Sequence, residues 1–212
     1  MDKLRDIGRG TRMIKIGITG GVGSGKSQVL AYLEEIHHAR ICQADLIAHE
    51  LQRPKEKCWR KIREYFGEGI CNPDGTIDRK KLGTIVFSDA EKLSVLNAIV
   101  HPAVKEYVKQ QAAMEAARGE RKLLVLEAAL LIEEHYDEIC DELWYIDTSR
   151  ENRRIRLKES RGYSDTKVDQ IFESQLSEEE YQRHCSVVID NNGLPDQTFE
   201  QIDEVLRRKA YE

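Results

Sequence analysis

The stretch Gly20-Gly21-Val22-Gly23-Ser24-Gly25-Lys26-Ser27 constrains this chain more than any other, because it fits the phosphate-binding pattern G-x-x-x-x-G-K-[ST]. Before it runs Ile14-Lys15-Ile16-Gly17-Ile18-Thr19, whose β-branched residues predict a buried strand. After it, Val29, Leu30 and Leu33 recur at helical spacing. Strand, glycine loop and helix in that order turn a string match into a predicted site. Glycines let the backbone curl so that successive N–H groups face inward, and the helix N-terminus adds its positive dipole end. Lys26 is then placed to reach the β- and γ-phosphates, and the Ser27 hydroxyl to ligate Mg²⁺. The alternative is a glycine-rich turn with a chance Lys-Ser, and both flanks argue against it. The stretch predicts a nucleoside triphosphate site.

Bulk properties narrow the rest. A chain of 212 residues suits one domain with insertions. A formal net charge of −5 weighs against a nucleic-acid partner. No apolar run approaches the roughly 18 residues of a membrane span, and the N-terminus lacks the apolar core of a signal peptide. Five cysteines (Cys42, Cys58, Cys71, Cys140, Cys185) are widely spaced with no C-x-x-C pair. That pattern predicts reduced thiols in a cytoplasmic protein rather than a disulfide frame or a zinc site. Residues 1–12 are charged and aperiodic and are expected to be a disordered extension, with Met13 a plausible alternative start.

Further along, Ala39-Arg40-Ile41-Cys42 is predicted as a second strand, preceded by His37-His38 exposed at a helix end. Asp45 comes directly after that strand, and ligands of open parallel sheets sit beyond the strands' carboxyl ends. Asp45 is therefore either a carboxylate facing an acceptor hydroxyl or the N-cap of Leu46-Ile47-Ala48-His49-Glu50. Residues 51–118 are mostly helical in pattern and too long for a simple crossover, which predicts an inserted substrate-binding subdomain. Within it, Asn72-Pro73-Asp74-Gly75 has type I turn chemistry. Ser88 opens a capping box with Glu91, and His101-Pro102 is expected to mark a break or a new helix start.

Leu123-Leu124-Val125-Leu126-Glu127 is an apolar strand ending in an acid that either supports Mg²⁺ through water or caps the strand end. A fourth strand, Glu142–Asp147, leads through a predicted capping box at Thr148-Ser149-Arg150-Glu151 into a basic helix carrying Arg150, Arg153, Arg154, Arg156 and Lys158. Ser177-Glu178-Glu179-Glu180 caps another helix, Ser186–Asp190 makes a fifth strand, and a helix over 198–208 closes the chain. Strands alternating with helices predict an α/β fold: a P-loop NTPase three-layer plan with a five-stranded parallel sheet, a helical substrate-binding insert and a helical lid. The core is expected at 13–50, 119–149 and 184–212, the insert at about 51–118 and the lid at about 150–183. Most lid arginines should be solvated helix-face charges, with one or two serving the phosphates.

Within this class, the chain has no Asn-Lys pair for an N-K-x-D guanine-reading stretch, Lys26 stands where a dinucleotide fold needs a third glycine, and protein-kinase signatures are missing. A small-molecule kinase remains. From Ile14 to about Gly193 the residues resemble the dephospho-CoA kinase family. Its phosphate loop is matched by Thr19–Ser27, its A-D-x-I-A stretch by Ala44-Asp45-Leu46-Ile47-Ala48, and the signature of its helical domain by Asp74-Gly75 and Ile77-Asp78-Arg79. Leu96-Asn97-Ala98-Ile99-Val100-His101-Pro102 is similar to L-N-x-I-x-H-P, Leu130-Leu131-Ile132-Glu133 to L-L-x-E, and Val188-Ile189-Asp190-Asn191-Asn192-Gly193 to the closing V-I-D-N-x-G loop near the nucleotide. Four positions depart from the family: Gln43 for a frequent Asp, Gln28 for Thr, Ala129 for Pro, and Ser160-Arg161-Gly162 for Arg-Asp-Gly.

The resemblance implies phosphorylation of the ribose 3′-hydroxyl of dephospho-CoA by ATP with Mg²⁺, the last step of coenzyme A biosynthesis. Other readings of the residues are another small nucleoside or nucleotide kinase and a non-catalytic nucleotide-binding protein. It implies Asp45 as the base, with Lys26, Arg156 and Arg161 as the other catalytic groups and Ser27 as the protein's hydroxyl for the metal. ATP contacts are expected from Gly21, Val22, Gly23, Ser24, Gly25, Lys26, Ser27, Gln28 and Asn191. The acceptor is expected to meet Asp45, Arg79, Lys81, His101 and Leu130, although Arg79 and His101 are equally open to a salt bridge and a packing role. No nucleic acid or membrane partner is expected, and the chain is expected to be a monomer or a weak homo-oligomer.

Overall fold

A computed structural model of the protein describes residues 13–209. The expectations for residues 1–12 lie outside them. Five strands, β1 (Ile14–Thr19), β2 (Arg40–Gln43), β3 (Leu123–Glu127), β4 (Glu142–Asp147) and β5 (Val187–Asp190), form one sheet in the order β2-β3-β1-β4-β5. The recorded ladders β1–β3, β1–β4 and β4–β5 are all parallel. Strand β3 is buried from Leu123 to Leu126, as a central parallel strand covered on both faces must be. One face carries Ile16, Ile18, Val125, Trp144, Ile146 and Ile189, which pack with Val29, Leu30 and Leu33 of α1 (Lys26–Glu35) and Ile202 of α9 (Pro195–Lys209). On the other face Tyr145 stacks on Tyr181 of α8 (Glu178–His184) at 4.9 Å between ring centroids. The predicted α/β class and five-stranded parallel sheet are both present.

The chain forms two compact units, one holding residues up to Cys42 and from Met114 onward, the other Gln43–Ala113. The second is mainly helical, with α2 (Ala44–Leu51), α3 (Lys57–Phe66), a short 3₁₀ turn, α4 (Arg79–Phe87) and most of α5 (Ala90–Arg118), and one antiparallel bridge between Cys71 and Ile77. The predicted turn at Asn72 is present. Gly75 N–H donates to the Asn72 carbonyl at 2.9 Å, and Asp74 accepts from the Thr76 amide at 2.9 Å.

Four local expectations are corrected. The break expected at His101-Pro102 does not occur, for α5 runs 29 residues through Pro102. Proline removes one amide and frees the carbonyl four residues earlier. Here Ala98 and Pro102 share the exposed side, while Val100, Val104 and Val108 keep a buried stripe at helical spacing. The cap of α5 is Asp89 rather than Ser88, since Asp89 accepts from the Glu91 and Lys92 amides and the Ser88 hydroxyl donates back to Thr84 and Ile85 at the end of α4. The cap of α6 (Arg150–Arg161) is Ser149 rather than Thr148. Where two capping residues are adjacent, the chain's entry angle decides between them. The box at Ser177 and Glu180 forms as expected. His37 is half-buried instead of exposed, bonding Asp203 of α9 at 2.8 Å.

Candidate nucleotide site

The loop between β1 and α1 is shaped by what its carbonyls bond to. The Ser24 carbonyl receives three donors: Asn191 Nδ2 at 2.7 Å, Thr148 Oγ1 at 3.0 Å and Arg156 Nη1 at 3.3 Å. Register explains the first two. Asp147 pairs with Asp190 at the carboxyl ends of β4 and β5, so the next residues, Thr148 and Asn191, emerge side by side under the loop. Asn191 is held from behind by the Thr198 hydroxyl, which donates to its Oδ1 at 2.9 Å. A trans peptide points its N–H opposite its C=O, so drawing the Ser24 carbonyl into the protein turns the Gly25 amide outward, as an anion cradle needs.

Gly25 makes this possible. Its φ of +87° lies in the left-handed region, and a Cβ there would run into the Asn191 amide. Gly25→Ala is expected to cost about 2–4 kcal/mol, from left-handed strain plus the disturbed bond to Ser24. Chemical denaturation would measure that loss, and nucleotide titration should show at least tenfold weaker binding.

Lys26 opens α1. Its ammonium donates to the Gly20 carbonyl at 2.7 Å and lies 3.9 Å from Glu127 Oε1. Glu127 is brought there by β3, where it pairs with Ile18, one residue before the end of β1. Ser27 and Gln28 are exposed in the first turn of α1. Among the described residues the hydroxyls of Thr19 and Ser24 are buried with no hydrogen-bond partner. Ser27 and Glu127 offer hard oxygen donors of the kind Mg²⁺ accepts. Among the described residues no cluster of three or more His, Cys, Asp or Glu could hold a metal by itself. A magnesium ion here would keep water and substrate oxygens as ligands, which is its usual preference. The donor set fits.

Of the lid arginines expected to act, Arg156 reaches the loop through two carbonyls, Ser24 and Asn191, the latter at 2.8 Å. Arg161 is exposed, its guanidinium 5.9 Å from the Tyr163 ring centroid. Arg154 and Lys158 pair with Asp165 and Asp169 of α7 (Asp165–Glu173) and tie α6 to α7. Arg153, which no sequence signal separated from its neighbours, is the buried one. It donates from Nε to the Val22 carbonyl at 3.0 Å and from Nη2 to Gln175. Burial pushes its guanidinium below the usual arginine range. Thr148 was likewise missed as a site residue. Its signal was available: it directly follows the carboxyl end of a predicted strand.

The other expected site residues lie apart in sequence and on separate elements. Leu130 is exposed in the loop after β3. In the helical unit, Asp45 sits second in α2, Arg79 first in α4, and His101 midway along α5. Lys81 Nζ lies 3.7 Å from Asp78, the N-cap of its own helix. The cap of α2 is Gln43, so the N-cap alternative for Asp45 falls away.

Comparison with known proteins places this arrangement. The dephospho-CoA kinase family model matches residues 14–196. A dephospho-CoA kinase of Shouchella clausii is 36% identical over 199 residues, covering 94% of this chain and all of that protein. One of Geobacter sulfurreducens is 39% identical over 194 residues, covering 92% and 98%. A crystal structure of a Thermus thermophilus protein superposes with a TM-score of 0.77 at 29% identity, covering 93% of this chain and 98% of that one. With the phosphate loop, the parallel sheet and a match running from β1 into α9, the chain belongs to the dephospho-CoA kinase family.

Proposed function

We propose that the protein transfers the γ-phosphoryl group of ATP to the ribose 3′-hydroxyl of dephospho-CoA, giving CoA and ADP. The observation that carries this reading is the phosphate loop with Lys26 and Ser27 at its helical end, in a chain whose relatives of the same length are dephospho-CoA kinases. Positioning and charge neutralisation do most of the work in such a transfer. Loop amides from Gly21 to Gln28 cradle the phosphates, and Asn191 keeps the cradle in shape through Ser24. Lys26 neutralises charge on the transferred group. Ser27, with Glu127 acting through water, holds Mg²⁺, which when bound offsets negative charge on the phosphate oxygens. Arg156 and Arg161 serve the same charge from the lid.

Asp45 orients the acceptor hydroxyl and takes its proton. Arg79, Lys81, His101 and Leu130 grip the acceptor. The five cysteines are all unpaired thiols, which supports the cytoplasm as its location. No described helix is long and apolar enough to cross a membrane. We expect a monomer or a weak homo-oligomer.

The test is ADP release by the purified protein with ATP and Mg²⁺, in the presence of dephospho-CoA, AMP or no acceptor. Release that requires dephospho-CoA is the expected result. Release with AMP but not dephospho-CoA would move the reading to a nucleotide kinase, and equal release in every tube would leave an ATPase.

A further inference from the structure

Arg153 is the lid residue most deeply committed to the phosphate loop. Its guanidinium lies against Gly21, where any side chain would collide with it, and over the Phe172 ring at 4.5 Å from the centroid. It is 6% exposed, and among the described residues no carboxylate reaches ion-pair distance of it. Arg154, the next residue, is by contrast paired with Asp165 and Asp169. A buried cation without a carboxylate is costly to keep, so its hydrogen bonds must be what hold it there.

Those bonds converge on a single residue of the loop. Arg153 Nε donates to the Val22 carbonyl at 3.0 Å, while Gln175 Oε1 accepts from the Val22 amide at 3.3 Å. Arg153 and Gln175 are themselves hydrogen-bonded. Both peptide groups of Val22 are thus gripped by one pair of side chains, from α6 and from the turn that follows α7. Holding the Val22 carbonyl toward α6 turns the following amide, Gly23 N–H, the opposite way. Val22 lies between glycines, inside the turn closed by the Ser24 amide on the Gly21 carbonyl at 3.0 Å, and its side chain packs at the edge of the Leu157–Val168–Phe172 cluster. The Arg153–Gln175 pair adds the contacts that aim its peptide groups toward α6.

We propose that Arg153, acting through Val22 and together with Gln175, is a positioning residue of the nucleotide site and sets the affinity for ATP rather than for the acceptor. This rests on the reading of the loop as an ATP site. The relevant chemistry is donation to a carbonyl, and it can be separated from charge. The amide nitrogen of glutamine stands the same number of bonds from Cα as arginine Nε. Arg153→Gln therefore keeps a donor for Val22 and loses the cation, whereas Arg153→Met loses both.

The experiment uses the full chain and measures the ATP dissociation constant by calorimetry, the KM for ATP and for dephospho-CoA, and the melting temperature. Arg153→Met is expected to weaken ATP binding tenfold or more while the KM for dephospho-CoA stays within twofold. Arg153→Gln is expected to recover ATP affinity to within threefold of wild type, and Gln175→Met to weaken it at least threefold. ATP affinity within twofold of wild type in Arg153→Met would overturn the assignment. So would a parallel rise in both KM values with a lower melting temperature, which is the mark of a mere brace, or a failure of Arg153→Gln to recover. If Arg153→Met does not fold, Arg153→Gln and Gln175→Met decide on the same thresholds. Wild-type protein that binds ATP without phosphorylating dephospho-CoA would refute the acceptor reading alone, and calorimetry would still decide the role of Arg153.

Discussion

Lys26→Met is expected to lower turnover by about 10²–10³-fold, the usual effect of removing one preorganised charge or donor from a reacting centre. The side chain keeps its length and apolar stem, so the loss is confined to the ammonium group. In the protein that group donates to the Gly20 carbonyl at 2.7 Å and lies 3.9 Å from Glu127. Removing it therefore takes from the loop the hydrogen bond to the Gly20 carbonyl and takes from Glu127 the ammonium that lies 3.9 Å away. A hydrogen bond of this kind contributes about 1 kcal/mol to stability, so the variant should fold and melt close to wild type. Lys26→Arg should not restore activity, because a planar fork replaces a compact point charge in a narrow loop. Single-turnover assays beside thermal denaturation would check both halves. Turnover within tenfold of wild type for Lys26→Met would remove Lys26 from the reacting centre.

What the sequence disclosed about this site, and what it withheld, follows from the range of the interactions involved. The phosphate loop was legible because its parts are contiguous: a β-branched strand, glycines where φ turns positive, and an apolar helical stripe at Val29, Leu30 and Leu33. The sheet was legible for the same reason, with each strand a short apolar run between helical segments. Errors arose where two local signals competed. Asp89 and Ser88 both favour caps, as do Ser149 and Thr148, and only the three-dimensional course of the chain selects one. Pro102 reads as a helix break, yet a buried stripe on either side of it carries α5 through.

The supports of the loop were the hardest to see. Arg153 and Gln175 lie 131 and 153 residues from Val22 in sequence, and Thr148 lies 124 from Ser24. Nothing within the basic run of α6 distinguishes Arg153 from Arg154, although one is buried against the loop and the other is paired with α7. Burial is a property of the packed helix pair, and periodicity alone does not show which face of α6 the loop will meet.

Asp45→Asn is the second variant with a large expected effect, a fall in turnover of about 10²–10⁴-fold, the range that general acid–base groups supply. The exchange is nearly isosteric and removes one negative charge. Asp45 sits in the first turn of α2, where a carboxylate gains a little from the helix dipole, so some stability should be lost, about 0.3–1 kcal/mol. Its side chain is exposed and does not cap the helix, so no packing collapses with the substitution. Affinity for ATP should therefore persist within a fewfold while the chemical step slows. That combination separates a group acting on the acceptor hydroxyl from one that merely holds the helix. A helix-holding aspartate would lower the melting temperature and leave the rate of the remaining folded enzyme almost unchanged. Gln43, the residue before α2, has no carboxylate to substitute for the lost base, so the fall should not be masked by a neighbour. If Asp45→Asn turns over within a fewfold of wild type under single-turnover conditions, proton removal from the ribose hydroxyl is not its task. The transfer would then depend on positioning and charge neutralisation by the loop, Lys26 and the lid arginines alone, as a loose phosphoryl-transfer transition state permits.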